Sequence, residues 1–191
     1  QLGSLGTQVA RRISEELGCK FLDKQLLEEA FWEHGIPKES LERFDERKPA
    51  FWELFKPDKA RYLHFMKGAI QDFAREGNCV ILGRGGQVLL GALPGVLNIR
   101  VVAPMEARVE RIMERFDCDE SHAVKIIRHS DDERAGYHKF FFDESWENVE
   151  LYDLVINTGS FTADVAGTLV KSIVETDAFK TIEEQTHTRL E

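Results

Sequence analysis

The chain has 191 residues, of which 42% are hydrophobic and 31% are charged, a composition typical of a globular protein with its own core. The formal net charge of −9 argues against a general nucleic-acid-binding surface, because such surfaces depend on clustered Lys and Arg. No apolar run approaches ~20 residues, so we expect no membrane span, and three widely spaced cysteines favour a reducing cytoplasm.

A short glycine loop opens the chain and leads into a helix. Gly3 and Gly6 bracket two small or apolar residues, and Thr7 is a suitable N-cap for the helix that follows. The apolar residues of that helix fall on one face: Val9, Ile13 and Leu17. Gly18 is a typical helix end. Phosphate-binding loops of this kind follow a strand, so we expect a further strand before Gln1.

The next stretch contains a strand and a helix before the pattern breaks. Residues 19–23 are predicted to form a short strand, and residues 24–35 an amphipathic helix that ends at Gly35. Residues 36–60 are charged and aromatic, with three prolines, and are predicted to form a small, mostly helical insert. A helix over residues 58–76 follows.

The remaining elements predict a parallel sheet. In chain order they are strand 79–83, strand 97–104, helix 106–116, helix 119–138 with Asp119 as its cap, strand 152–159 and helix 163–179. The strands are continuous apolar runs, as expected of strands that are buried on both faces. Strands that alternate with helices in this way predict an α/β fold, in which helices flank a parallel sheet on both faces.

Residues that directly follow the strands are candidate ligands, because ligands of an open parallel sheet bind beyond the carboxyl ends of its strands. Two glycine-bearing loops, at residues 3–7 and 83–86, meet there with Asp23. Arg84 stands between glycines, so its planar guanidinium and nearby backbone N–H groups can approach one anion. A tight turn with an exposed Arg84 is an equally open interpretation.

Two charged helical stretches supply the other candidate groups. In the first, RHSDDER, Arg128 and Asp131 lie on one helical face, and Arg134 lies about one turn beyond Asp131. In the second, EARVERIMER, the arginines form a basic stripe: Arg108, Arg111 and Arg115. A solvated face laced with ion pairs is the alternative for both stretches.

Taken in order, these segments resemble the cytidylate kinase-like family, a group of nucleoside monophosphate kinases with a phosphate loop. VARRISEELGCKFLDKQLL resembles the family's first helix and next strand, and CVILGRGG its third strand with an arginine turn. EARVERI resembles the helix that enters the lid, DDERAGYH the lid arginine motif and YDLVINTG the last strand. The resemblance implies one phosphate-loop kinase-like domain over residues 1–191, with an acceptor-binding insert at 36–65 and a helical lid at 119–146.

The resemblance also implies an activity, the transfer of the γ-phosphoryl group of ATP to a nucleoside monophosphate, nominally CMP or dCMP, with Mg²⁺. The implied catalytic residues are Arg134 and Arg128, which would close over the phosphoryl group, and Asp131, which would orient them or read the acceptor base. The implied phosphate ligands on the ATP side are Gly3, Ser4, Gly6, Thr7, Arg108 and Arg111. The implied acceptor ligands are Asp23, Arg84 and Gly83. No side chain is assigned to a metal.

The chain departs from the family's pattern at two points. Aligned on the first helix, Gly6 falls where the G-x-x-x-x-G-K-[ST] loop has its lysine, so backbone N–H groups and an arginine would have to hold the phosphates. The spacing from Arg128 to Asp131 is one residue shorter than in cytidylate kinases. Two alternatives therefore stay open: a nucleotide-binding regulatory module without catalysis, and a kinase for another small acceptor. The resemblance further implies nucleotide substrates and a homodimer, whereas the charge and the apolar runs predict that neither nucleic acid nor a membrane is a partner.

Overall fold

The computed structural model describes residues 1–33, 56–91 and 93–180. Most of the insert that the sequence predicts at 36–60 therefore lies outside the described residues, as does the predicted helix end at Gly35. The same holds for much of the acceptor-binding region that the resemblance implies at 36–65.

Helices and strands alternate along the described chain. In order they are α1 (Gly6–Leu17), β1 (Lys20–Leu22), α2 (Lys24–Glu33), α3 (Lys56–Arg75), β2 (Cys79–Ile81), α4 (Gly86–Leu89), β3 (Ile99–Val102), α5 (Met105–Phe116), α6 (Glu120–Phe142), a short 3-10 helix (Val149–Leu151), β4 (Leu154–Asn157) and α7 (Ala163–Val174). The helices and strands that the sequence predicts for these residues are present, although their ends differ. α6 continues past its predicted end at residue 138, and α4 and the 3-10 helix were not predicted.

The strands pair in parallel, as predicted. β1 pairs with β2, with Phe21 opposite Val80, and β3 pairs with β4, with Val101 opposite Ile156. Among the described residues the two pairs form separate two-stranded sheets. Residues of β2 and β3 line a cavity of about 1280 Å³. The strand predicted before Gln1 stays a prediction.

Helices cover both faces of the strands, which confirms the predicted α/β architecture. Successive strand residues point to opposite faces, and on β2 Val80 packs with α1 and α7 whereas Ile81 packs with α3 and α6. The buried residues of the α1 and α7 side are Val9, Ile13, Ile156, Ala166 and Val170. Those of the other side are Leu22, Leu27, Tyr62, Met66, Ile70, Leu90, Tyr137 and Phe141. The strands therefore lie between two hydrophobic clusters.

The prediction that Thr7 caps α1 is wrong. α1 starts at Gly6, and its N-cap is Leu5, which adopts a left-handed backbone conformation with φ of 61°. The Leu5 carbonyl accepts a hydrogen bond from the Val9 N–H at 2.9 Å. No side chain caps the first turn, so the helix begins with its N–H groups uncovered by protein side chains. Gly18 ends the helix as predicted, with φ of 64°.

Gly85 provides a test of the packing between the β2 turn and α6. Its φ is 71°, and a Cβ at this position would overlap the ring of Phe142. Gly18 has a similar φ of 64°, but nothing lies within 4 Å of the position its Cβ would take. Gly85→Ala adds steric overlap to backbone strain, so we expect it to lower the free energy of unfolding by ~1–3 kcal/mol more than Gly18→Ala does. Urea unfolding measures the difference, and equal losses would contradict the packing of Phe142 on this turn.

Candidate functional site

The cavity between the strand pairs reaches the carboxyl ends of the strands, where the sequence predicts a ligand. Most of the predicted site residues line it: Gly3, Ser4, Gly6, Thr7, Asp23, Gly83, Arg84, Arg111 and Arg134. Its volume exceeds the roughly 300–1,000 Å³ of ordinary ligand pockets because it continues between β2 and β3. The structure thus brings two glycine loops and arginines from distant segments to one space.

The start of α1 borders this cavity. The first N–H groups of an α-helix have no partner inside the helix, and here no side chain caps them. Gly6, Thr7 and Gln8, which carry such groups, all line the cavity. The partial positive charge of a helix N-terminus attracts anions, so this end of α1 favours a bound phosphate.

The carbonyl groups of the glycine loop are held by side chains from other elements. Three consecutive carbonyls each accept a hydrogen bond: Leu2 from Arg108 at 2.7 Å, Gly3 from Arg111 at 2.9 Å and Ser4 from Thr158 at 2.9 Å. Arg108 and Arg111, which the resemblance assigns to ATP phosphates, therefore hold the loop in the structure. A Cβ on Gly3 would lie 3.0 Å from the Arg108 carbonyl oxygen, so the loop lies directly against α5.

Asp131 connects Arg108 to Arg134. Its Oδ2 accepts a hydrogen bond from Arg108 Nη2 at 2.7 Å, and its Oδ1 lies 3.9 Å from Arg134 Nη1. The Arg108 side chain is only 4% exposed, so solvent screens its ion pair with Asp131 little. The structure thus brings Asp131 and Arg134 together, as their spacing predicts.

Arg134 lies on an aromatic ring near the glycine loop. Its guanidinium carbon is 5.3 Å from the centroid of the Trp146 ring, and that of Arg100 is 5.0 Å from the same centroid. Such cation–π contacts hold a guanidinium by its face. Arg134 and the glycine loop line the same cavity.

Arg84 is buried, with only 7% of its surface exposed, so its interpretation as an exposed turn residue is wrong. Its φ is 57°, and Gly83 and Gly85 on either side also have positive φ. The guanidinium carbon of Arg84 lies 5.7 Å from the centroid of the Tyr137 ring. Tyr137 is three residues after Arg134 on α6, about one helical turn. Arg84, in the loop after β2, therefore contacts the same helix that carries Arg134.

Asp23 borders the cavity but also caps a helix. Its Oδ1 accepts hydrogen bonds from the N–H groups of Gln25 at 3.0 Å and Leu26 at 3.2 Å, in the first turn of α2. Its Oδ2 lies 3.9 Å from a guanidinium nitrogen of Arg11. One carboxylate oxygen of this predicted acceptor ligand therefore has a structural role.

The structure does not bring Arg128 to the cavity. Arg128 is exposed and borders a separate shallow depression beside Asp119 and Lys125. The six residues from Arg128 to Arg134 span about 1.7 turns of helix, so the two arginines lie on different faces of α6. The joint action that the resemblance implies for them is therefore not supported by this geometry.

Sequence reasoning gave no role to Thr158, Trp146 or Tyr152. The Tyr152 hydroxyl donates to the Trp146 carbonyl at 2.7 Å, and burial raises the pKa of Tyr152. Thr158 directly follows β4, so its place at the carboxyl ends of the strands was visible in the sequence even though its contacts were not. Trp146 follows α6 and carried no such signal, because its contact with Arg134 depends on tertiary packing.

Neither a metal cluster nor a membrane-spanning helix is found in the described part of the chain. Within residues 1–33, 56–91 and 93–180, no three His, Cys, Asp or Glu side chains come together as a metal site would require. None of the helices there is both long enough and apolar enough to cross a bilayer. A Mg²⁺ ion that travels with a nucleotide does not need such a cluster, since substrate phosphates and water supply most of its ligands.

Comparison with known sequences points to one family. The sequence model described as the cytidylate kinase-like family matches residues 1–160. A cytidylate kinase from Methanopyrus kandleri is 26% identical over 182 residues, which are 91% of this chain and 89% of that protein. Another from Methanocaldococcus jannaschii is 30% identical over 107 residues, 54% of this chain and 60% of that protein. A uronate isomerase from Corynebacterium glutamicum is 37% identical over 111 residues, 58% of this chain, but the match spans only 21% of that protein.

One solved structure is similar over most of the chain. It is the crystal structure of an uncharacterized protein from Eubacterium ventriosum, with a TM-score of 0.70 and 21% sequence identity. The alignment covers 92% of this chain and 94% of that one. At this identity the similarity shows a shared fold.

Proposed function

This chain belongs to the cytidylate kinase-like family, and from that membership we propose that it transfers the γ-phosphoryl group of ATP to a nucleoside monophosphate, with CMP or dCMP as the nominal acceptor. The supporting observation is that Arg84, Arg134 and the uncapped start of α1 border one cavity. Phosphoryl transfer requires donor and acceptor phosphates to be positioned together and their charge to be neutralised, with little covalent chemistry from the protein.

In the proposed complex, the phosphates of ATP lie at the start of α1. The N–H groups of Gly6, Thr7 and Gln8, together with the helix dipole, bind the phosphate oxygens. Gly6 supplies no side-chain charge, so these backbone groups carry more of the binding than they would beside a lysine. Gly3 and Ser4 shape the loop that leads into them.

Two arginines have separate roles in this proposal. Arg84 binds the acceptor phosphate, because its planar fork can donate to two oxygens at once. Arg134 binds the phosphoryl group in transfer, where a guanidinium offsets negative charge as it develops. Asp131, 3.9 Å from Arg134, orients that guanidinium. Asp23 and Gly83 complete the acceptor side of the cavity.

We propose that residues 119–146 act as a lid. This segment contains α6, which carries Asp131 and Arg134, and ends at Trp146, on whose ring Arg134 rests. Closure of such a segment over bound nucleotides excludes water and protects the phosphoryl group from hydrolysis.

The donor end of the site has a group that fits Mg²⁺. Thr7 is exposed, borders the cavity, and stands where the G-x-x-x-x-G-K-[ST] loop has the hydroxyl that contacts Mg²⁺. Thr7 would hold the ion together with phosphate oxygens and water, which are its usual ligands. When bound, the ion supplies positive charge that neutralises the phosphates.

A second function is favoured by one observation. Arg108 and Arg111 already donate hydrogen bonds to the glycine loop, so neither is simply available to replace the lysine. A chain without another cation at the donor phosphates would bind nucleotide without transferring its phosphoryl group, and would serve as a regulatory module. The homodimer and the cytoplasmic location remain predictions from the resemblance and the composition.

A coupled assay of ADP release tests the proposed activity. The chain is incubated with ATP and Mg²⁺ and with CMP, dCMP, UMP or AMP in turn, and we expect turnover above the ATP-only rate with CMP or dCMP. ATP binding without turnover would favour the regulatory module. Turnover with another acceptor alone would assign a different substrate, since fold does not determine it. Absence of both binding and turnover would reject the proposal.

The same assay separates the roles of the two arginines. Arg134→Ala should lower kcat by roughly 100-fold and leave ATP affinity mostly unchanged, because loss of one donor to a developing charge costs ~3 kcal/mol. Arg84→Ala should instead raise the KM for the acceptor. Lys125→Ala, which removes an exposed cation from the same helix as Arg134, is the matched control.

An unchanged kcat in Arg134→Ala would remove Arg134 from the proposed role. If Arg84→Ala weakened ATP binding and left the acceptor KM unchanged, the donor and acceptor sites would have to be exchanged.

A further inference from the structure

Three side chains from distant segments bind the carbonyls of consecutive residues in the glycine loop. They are Arg108 and Arg111 on α5 and Thr158 after β4, which donate to the carbonyls of Leu2, Gly3 and Ser4 respectively. Arg108 is 3% exposed and Thr158 is 4% exposed, so water competes little for these bonds. The conformation of the loop is therefore set by groups that lie far from it in the sequence.

A fixed carbonyl also fixes the following N–H group. The peptide group is planar and trans, so its C=O and N–H point in opposite directions. With their carbonyls bound, the peptide groups that begin at Leu2 and Gly3 direct the N–H groups of Gly3 and Ser4 away from their α5 partners. The peptide group that begins at Ser4 directs the Leu5 N–H away from Thr158. The Ser4 N–H reaches the Gln1 carbonyl at 3.3 Å, a long hydrogen bond.

We propose that Arg108, Arg111 and Thr158 form a carbonyl clamp, which holds the glycine loop in the conformation that leaves the N–H groups at the start of α1 uncovered for a bound phosphate, and so compensates for the missing lysine. This inference rests on the proposed function, because it concerns the same nucleotide site. In the carbonyl clamp the three side chains are positioning residues, since they act on the ligand through the backbone of the loop.

The carbonyl clamp is itself anchored at each member. Arg108 is paired with Asp131 at 2.7 Å. Arg111 donates to the Thr158 carbonyl at 2.8 Å and lies 3.2 Å from its hydroxyl oxygen, so two members hold each other. The Thr158 N–H donates to the Val102 carbonyl at 2.8 Å, which ties the residue to the end of β3. Through Thr158 the loop is fixed to the end of β3 before any ligand arrives, as preorganised binding requires, whereas Asp131 joins Arg108 to the proposed lid.

Thr158 offers the sharpest test because it does not line the cavity and valine differs from it only by a methyl group in place of the hydroxyl. Thr158→Val keeps the side-chain shape and removes the contacts of the hydroxyl with the Ser4 carbonyl, with the Val102 carbonyl at 3.2 Å and with Arg111. Thr158→Ser keeps the hydroxyl and serves as the control. Titration calorimetry with ATP should show affinity weakened about tenfold in Thr158→Val, as expected for loss of one hydrogen bond, and nearly restored in Thr158→Ser. Wild-type affinity in Thr158→Val would overturn the carbonyl clamp.

Hydrogen exchange of the nucleotide-free protein distinguishes failure of the carbonyl clamp from failure of the proposed function. The amides of residues 3–5 should exchange faster in Thr158→Val than in wild type or Thr158→Ser, with amides in the β strands unchanged. If wild type binds no ATP, the proposed function fails, and this difference still tests the clamp. Equal exchange rates at residues 3–5 in Thr158→Val and wild type would overturn the carbonyl clamp, whether or not the protein binds ATP.

A second variant covers the case in which Thr158→Val does not fold. Arg111→Lys keeps the positive charge but lacks the planar fork that reaches both Gly3 and Thr158. The carbonyl clamp predicts faster exchange of the Ser4 amide in Arg111→Lys, since that N–H shares a peptide group with the released carbonyl. Unchanged exchange there would count against the clamp.

Discussion

The direction of the peptide groups in the glycine loop controls what the start of α1 can bind. In a loop with a lysine, the charge of that side chain helps the backbone N–H groups to bind phosphate. Here Gly6 stands at the lysine position, so the N–H groups act without that charge. Backbone donors bind an anion well only if they are ordered beforehand, because ordering a loop on binding costs conformational entropy. The hydrogen bonds from Arg108, Arg111 and Thr158 supply that order in the unbound chain.

Four arginines at the candidate site fall into two groups by what they contact. Arg108 and Arg111 donate to loop carbonyls, whereas Arg84 and Arg134 lie on aromatic rings at the edge of the cavity. A ring contacts the face of a guanidinium, and the N–H donors lie in its plane, so stacking is compatible with phosphate binding. In the proposed enzyme the first group fixes the backbone and the second neutralises the ligand. Binding without catalysis would follow if Arg134 did not reach the transferred group.

The fold could be predicted from the sequence because its signals are local. Apolar runs predict the strands, and residues such as Gly18 and Asp119 mark where helices end and begin. The position of the cavity also follows, because ligands of parallel sheets bind at the carboxyl ends of the strands. The contacts that the long side chains make could not be predicted. Arg108 fits equally a phosphate ligand or a solvated stripe, and its bond to the Leu2 carbonyl exists only once distant segments pack together.

A crystal structure of the chain with AMP-PNP, Mg²⁺ and CMP would test most directly whether backbone N–H groups and arginines surround one anion site. The predicted result has triphosphate oxygens hydrogen-bonded to the N–H groups that open α1, the CMP phosphate on Arg84, and the terminal phosphoryl group of AMP-PNP on Arg134. Phosphates bound outside the cavity, or contacting neither arginine, would contradict this arrangement.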